Sequence, residues 1–215
     1  EVVVRPPPGV AVLLVHAHNP HGFAWGRRVT EGGVDLNRNF VDFGQPLPEN
    51  PGYRAIHDWL VPAEWGGGAH KAADAAIEAY IAEHGFPAWQ QALTGGQHTH
   101  ADGLFFGGTE PSWSRRTIER ILRDHAGHAA RIGFIDLHTG LGPTGYGEPI
   151  FPGAPDDPAH ARARAWYGPA VTCPADGSST SATVHGTLYE GCRRLLPEAE
   201  HTGIALEFGT VPIAE

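Results

Sequence analysis

Residues 10–15, Val-Ala-Val-Leu-Leu-Val, form an unbroken apolar run between Pro8-Gly9 and Asn19-Pro20. A run of that length, bounded by turn formers, predicts a strand buried on both faces, central in its sheet. Residues 133–137 (Gly-Phe-Ile-Asp-Leu) and 203–208 (Gly-Ile-Ala-Leu-Glu-Phe) predict two more short buried strands, each ending at a polar residue followed by glycine. Between them the period changes. Over 69–83 the positions Ala69, Ala72, Ala73, Ala76, Ile77, Tyr80 and Ile81 recur at helical spacing, with Lys71, Asp74 and Glu78 opposite. A second amphipathic helix is predicted over 115–129, with Ile118, Ile121, Leu122, His125 and Ala129 inward and Glu119 placed to pair with Arg123 outward. Residues 42–53 read as a turn-rich loop.

Strands alternating with helices predict an α/β fold with a mixed, mostly parallel central sheet flanked by helices. Ligand sites in such sheets lie beyond strand ends, which brings Asn19, His138 and Glu207 to the same region.

The 215 residues suit one domain, 1–215. The 15 Lys+Arg against 24 Asp+Glu give a net charge of −9, and no basic cluster exceeds a dipeptide, which excludes a nucleic-acid binder. No stretch reaches the ~18 apolar residues of a membrane span, so a cytoplasmic protein is expected. Cys173 and Cys192 are too few for a disulfide scaffold and lack metal-knuckle spacing; the sequence leaves open whether they pair.

Four segments carry candidate chemistry. Asn37-Arg38 offers an arginine fork beside an amide, suited to gripping a carboxylate; the plainer reading is a loop network of Asp35, Arg38 and Asn39. Arg28, with Arg27 as the alternative, follows an Asn-Pro turn. His138 closes a predicted strand, where a metal ligand or general base would be held rigidly, although a strand-end histidine is more commonly structural. Glu207 is one carboxylate in an apolar strand, where desolvation raises a pKa toward general-base use; a salt bridge to an arginine is the plainer explanation.

In order, Asn19-Pro-His-Gly22, Arg28, Asp35-Leu-Asn-Arg38, His138 and Glu207 resemble the zinc carboxypeptidase (carboxypeptidase A-like) superfamily. The wording Val-Asp-Leu-Asn-Arg-Asn-Phe and Gly-Gly-Gln-His-Thr-His-Ala-Asp-Gly-Leu-Phe is closest to an uncharacterised bacterial branch related to succinylglutamate desuccinylase and aspartoacylase-type deacylases. The resemblance covers residues 10–210. It implies a phosphorylase/hydrolase-type fold and a zinc-dependent hydrolase cleaving an amide bond next to a free carboxylate. His138 would be a zinc ligand, Glu207 the general base, Arg28 the oxyanion cation, and Asn37 and Arg38 the carboxylate clamp. The substrate would be a small peptide or an acylated amino acid.

The superfamily's first zinc motif, His-x-x-Glu, has no counterpart, because none of the 14 histidines is followed three positions later by glutamate. The domain is therefore expected to lack N-terminal elements and, at its far end, edge elements. Substitute ligands are sought among His16, His18, His21, His98 and His100, whose plainer reading is polar loop histidines. The segment 98–108, with Gly103 and Gly107-Gly108, is expected to line a pocket. Tyr189 is the candidate for the superfamily's mobile tyrosine, with a core role at least as well supported. The Ser/Thr loop 175–182 receives no catalytic role. Two alternatives stand beside the peptidase reading: an N-acyl amino acid deacylase, and a metal-free carboxylate-binding domain.

Overall fold

The computed structural model describes residues 5–211. Its elements run α1 (Pro20–Trp25), a 3-10 turn (Leu36–Arg38), α2 (Pro51–Leu60), α3 (Gly68–His84), α4 (Phe86–Thr94), α5 (Trp113–Ala126), β1 (Arg131–Thr144), β2 (Gly147–Ile150), α6 (Pro158–Tyr167), α7 (Leu188–Leu195) and β3 (Glu200–Gly209). The fold is mixed α/β. Its sheet has three strands in the order β1-β3-β2, with β1 and β3 parallel and β2 antiparallel to β3. That is smaller and less parallel than expected: β2 is four residues long and reverses direction after Gly145, whose φ of 77° permits the tight return.

The central strand expected at 10–15 is not there. Among the described residues the segment joins no ladder, and Val10 is 52% and Leu14 66% exposed. Its apolar run signals a capacity for burial, but a strand exists only where a neighbour takes its backbone N–H and C=O groups. The strands predicted at 133–137 and 203–208 both form, inside β1 and β3. The predicted long helices form as α3 and α5; α5 stops at Gly127, and His125, expected inward, is exposed.

Five of the helices begin at side-chain caps, three of them followed by proline. Asn19, Asn50 and Asp157 accept from Gly22, Tyr53 and Ala159 backbone N–H groups, with Pro20, Pro51 and Pro158 opening α1, α2 and α6. Ser112 caps α5, and Thr187 with Glu190 forms a capping box on α7.

Two apolar clusters hold the sheet. One joins Phe151, Val171, Cys173, Tyr189 and Ile204 with Ala159 and Ala163 of α6. The other joins Leu36 and Phe40 with Ile118 and Leu122 of α5 and Leu188 and Cys192 of α7. Phe134 of β1 packs against both. A third cluster, around Ile56, Trp89 and Ala92, ties α2, α3 and α4 into a helical unit. Both cysteines are buried and free.

Candidate functional site

The parallel register of β1 and β3 sets His138 directly beside Glu207. Alternation along β1 puts Asp136 on the same face, two residues earlier. Asp136 Oδ2 lies 2.9 Å from His138 Nε2, and Glu207 Oε2 lies 3.8 Å from His138 Nδ1. Burial acts to lower the His138 pKa, but the hydrogen bond and charge of Asp136, helped by Glu207, outweigh it and raise the value above the ordinary imidazole range. Glu207 makes no arginine salt bridge; its Oε1 accepts the Leu141 backbone N–H at 3.1 Å. His18 lies close enough to feel Asp136 and His138, and burial depresses its pKa.

The second half of the site is built by the turn at Leu36–Arg38. Asp35, 2% exposed, caps it: one carboxylate oxygen accepts Asn37 N–H at 3.0 Å and the other accepts Arg28 Nε–H at 2.8 Å. Asn37 Oδ1 accepts the Leu188 backbone N–H at 3.0 Å, which fixes the amide with its NH2 group uncommitted. Arg38 is buried. It donates from Nε (3.1 Å) and Nη2 (2.6 Å) to Thr94 O and from Nη1 (2.9 Å) to Asn37 O. Three of the five guanidinium N–H groups are thus engaged, leaving two. Burial pushes its pKa down against the opposing charge of Asp35, yet an arginine stays protonated at neutral pH. The space around it requires glycine: a Cβ on Gly96 would stand 2.5 Å from Arg38 Cδ.

The plainer reading of the Asp35-Arg38-Asn39 loop is therefore also realised, chiefly in Asn39. Its amide donates to Gly107 O (2.8 Å) and Glu110 O (3.0 Å) and accepts from Ser112 N (2.8 Å), tying the turn to the 107–112 loop.

Arg28, Asn37, Arg38, His138 and Glu207 all line one pocket of about 240 Å³. Its inner wall is apolar, with Phe134, Ile150, Pro152 and Val184. Tyr189 contributes to the wall while 3% exposed and packed against Phe134 and Phe151, so its core role is the one realised. The 98–108 segment delivers Phe105 to the pocket, as expected. The loop carrying Ser181, Ala182 and Thr183 forms another wall, anchored from behind by the buried Glu148 carboxylate on Thr180 and by Gln90 and Gln91. Asp136 and Glu148 are residues that sequence reasoning did not single out, and Phe105 was covered only as part of the 98–108 segment. Asp136 carried a signal, a second polar residue at period two from His138.

A catalytic zinc needs three protein donors. Among the described residues no three His, Cys, Asp or Glu side chains are placed to hold a metal ion. His138 has Nε2 committed to Asp136 and turns Nδ1 to Glu207. Of the substitute ligands, His18 lies near His138, whereas His16 packs edge-on against Phe23 and His21 lies against Trp25. His98 bonds Gly108 O at 2.8 Å, and His100 stacks on His57 at 3.9 Å. Among the described residues the donors near His138 do not make a three-ligand zinc site.

No curated protein and no solved structure matches the sequence. One family model does, over residues 4–215, nearly the whole chain. The chain belongs to the family described as "Protein of unknown function (DUF2817)".

Proposed function

We propose that the pocket binds a small substrate through its free carboxylate and hydrolyses the adjacent amide bond. The observation that carries this reading is convergence: Arg28, Asn37 and Arg38 from one stretch, His138 from a second and Glu207 from a third line the same 240 Å³ cavity. The uncommitted NH2 of Asn37 and the two free N–H groups of Arg38 receive the carboxylate and orient the amide. Glu207, hydrogen-bonded but not ion-paired to arginine, takes a proton from water as the water oxygen attacks the carbonyl carbon. The outer nitrogens of Arg28, held by Asp35 through Nε alone, meet the oxygen as negative charge grows on it. When the C–N bond breaks, the same proton passes from Glu207 to the leaving nitrogen. Asp136 orients His138 in this arrangement. His138 Nδ1 would be one ligand to a zinc ion, and the described residues do not complete a three-donor set around it.

The test is release of primary amine from N-acetyl amino acids and from dipeptides. Glu207→Gln should lower kcat by at least about 100-fold, and Arg38→Lys should raise KM with kcat largely kept, because it removes the planar fork. Turnover of one substrate class alone separates deacylase from peptidase. Unchanged activity in Glu207→Gln refutes the assignment.

A second reading, ligand binding without turnover, is favoured by one observation: both His138 nitrogens face carboxylates, at 2.9 and 3.8 Å. It expects calorimetric binding of N-acetyl amino acids that a chelator does not change, with no amine released.

A further inference from the structure

We infer that Phe105 is a positioning residue whose ring holds the guanidinium groups of Arg28 and Arg38 together at the pocket. The ring centroid lies 5.0 Å from the Arg28 guanidinium carbon and 5.5 Å from that of Arg38, within the range at which a cation is attracted to an aromatic face. Two cations that repel one another thus share one aromatic ring, while Asp35 holds Arg28 through Nε.

The backbone argues that the ring is there for a reason. Phe105 has φ of 53°, a left-handed conformation in which the Cβ crowds the following carbonyl and which glycine adopts without strain. Hydrogen bonds on both sides of it pin that conformation: Gln97 N–H donates to Phe105 O at 3.1 Å and Gly107 N–H to Gln97 O at 2.8 Å. The turn sends Leu104 outward, 48% exposed, and Phe106 inward, 6% exposed, and leaves Phe105 at the pocket wall. A phenylalanine kept for packing would belong to an apolar cluster. Phe105 is in none of the three described, and two guanidinium groups lie against its ring.

The consequence for carboxylate binding rests on the amide-hydrolase reading; the grip on the arginines does not. The experiment records the Nε–Hε resonances of Arg28 and Arg38, assigned with Arg28→Lys and Arg38→Lys, in the full chain and in Phe105→Leu, Phe105→Gly and Phe105→Tyr. Each protein is then titrated with N-acetyl-L-alanine. Through the ring current both resonances are expected to keep their parent positions in Phe105→Tyr and to move downfield in Phe105→Leu and Phe105→Gly, a change added to the deshielding that the Asp35 and Thr94 bonds give these N–H groups. Kd for the probe should rise at least fivefold in the latter two and stay within twofold in Phe105→Tyr. Phe105→Gly relieves the backbone as it removes the ring, so weaker binding by that variant is not a folding defect. Resonances that ignore the ring, or ring-less variants that bind the probe as the parent does, overturn the inference. A parent chain that binds no probe while both resonances remain ring-shifted supports the grip and refutes the carboxylate-site reading instead.

Discussion

Asp35 is the point where fold and candidate site are hardest to separate, and its replacement gives a graded expectation. The side chain is 2% exposed, with one oxygen on Asn37 N–H and the other on Arg28 Nε–H. In Asp35→Asn the amide can keep its oxygen on Asn37 N–H, but its NH2 then faces Arg28 Nε–H, donor against donor. A hydrogen bond to a charged group contributes roughly 1.5–3 kcal/mol. Arg28 is half exposed and can turn to water, so the loss is discounted to about 1–2 kcal/mol. Asp35→Ala also removes the cap, worth about 1 kcal/mol, and leaves a small void, for a total near 2–4 kcal/mol. Urea denaturation checks both. With a slope on the order of 2 kcal/mol per molar, Asp35→Asn should lower the midpoint by about 0.5–1 M and Asp35→Ala by about 1–2 M. Midpoints of both variants within about 0.2 M of the parent, at that slope, would refute the reasoning that this buried carboxylate holds the turn.

The glycine cradle of Arg38 is tested by a matched pair. Gly66→Ala, at φ 81° with open space around it, should cost about 1 kcal/mol for the left-handed backbone alone, and Gly96→Ala, at φ 88° with Arg38 Cδ 2.5 Å from the new methyl, at least about 1 kcal/mol more; equal thermal midpoints would show that the arginine is not confined. Glu190 has its pKa held down, burial being outweighed by bonds from His185 and the Thr187 and Gly186 amides, so its contribution is full above the unfolded carboxylate value near 4.3 and lost as pH falls through the folded one. His185, raised chiefly by Glu190, contributes below about pH 6.5 and loses its share as pH rises through its folded value. The stability gap between parent and Glu190→Gln should therefore peak between about pH 4.5 and 6.5 and narrow on both sides, and a gap that does not change with pH contradicts the assignment. Burial pushes the Cys192 thiol up to about 11, so iodoacetamide at pH 8 should leave it unlabelled until denaturant is added. Elemental analysis after exchange into chelator-free buffer should find well under one zinc per chain, since no three donors among the described residues are placed together; stoichiometric zinc would mean that further donors join His138.

The sequence was most legible where a long periodic signal coincided with a real neighbour. The runs at 133–137 and 203–208 became β1 and β3, and their register brings His138 beside Glu207, two residues expected at the same strand-end region, although their direct pairing was not legible. The run at 10–15 carried the strongest strand signal and formed none, because hydrophobicity marks what can be buried while pairing depends on a ladder elsewhere in the chain. The short helices went unread for a different reason. Asn19-Pro20, Asn50-Pro51 and Asp157-Pro158 have the cap-then-proline form of a helix start, but the six to ten residues after them are too few for a period to show, so the first two were read as turn and loop. Phe105 was legible only as part of a segment expected to line a pocket: its own contribution lies in a left-handed turn that only the folded backbone defines.

The candidate site is mounted in two different ways, and this decides how it should respond to damage. His138, Asp136 and Glu207 sit on paired strands, so their mutual distances are set by the β1–β3 register and should survive changes in the surrounding loops. The arginines depend on loops instead: Arg38 on Thr94 O at the end of α4, Arg28 on Asp35, and both on the ring of Phe105. The α2–α3–α4 unit reaches the sheet side partly through Thr94 and the Gln90 and Gln91 amides bonded to Thr180 O and Thr183 O. Loosening that unit, for example by truncating Trp89 in its core, should therefore weaken carboxylate binding while leaving the His138–Glu207 pair in register. A carboxylate site whose grip and chemistry rest on separately stabilised parts loses affinity before it loses its chemistry.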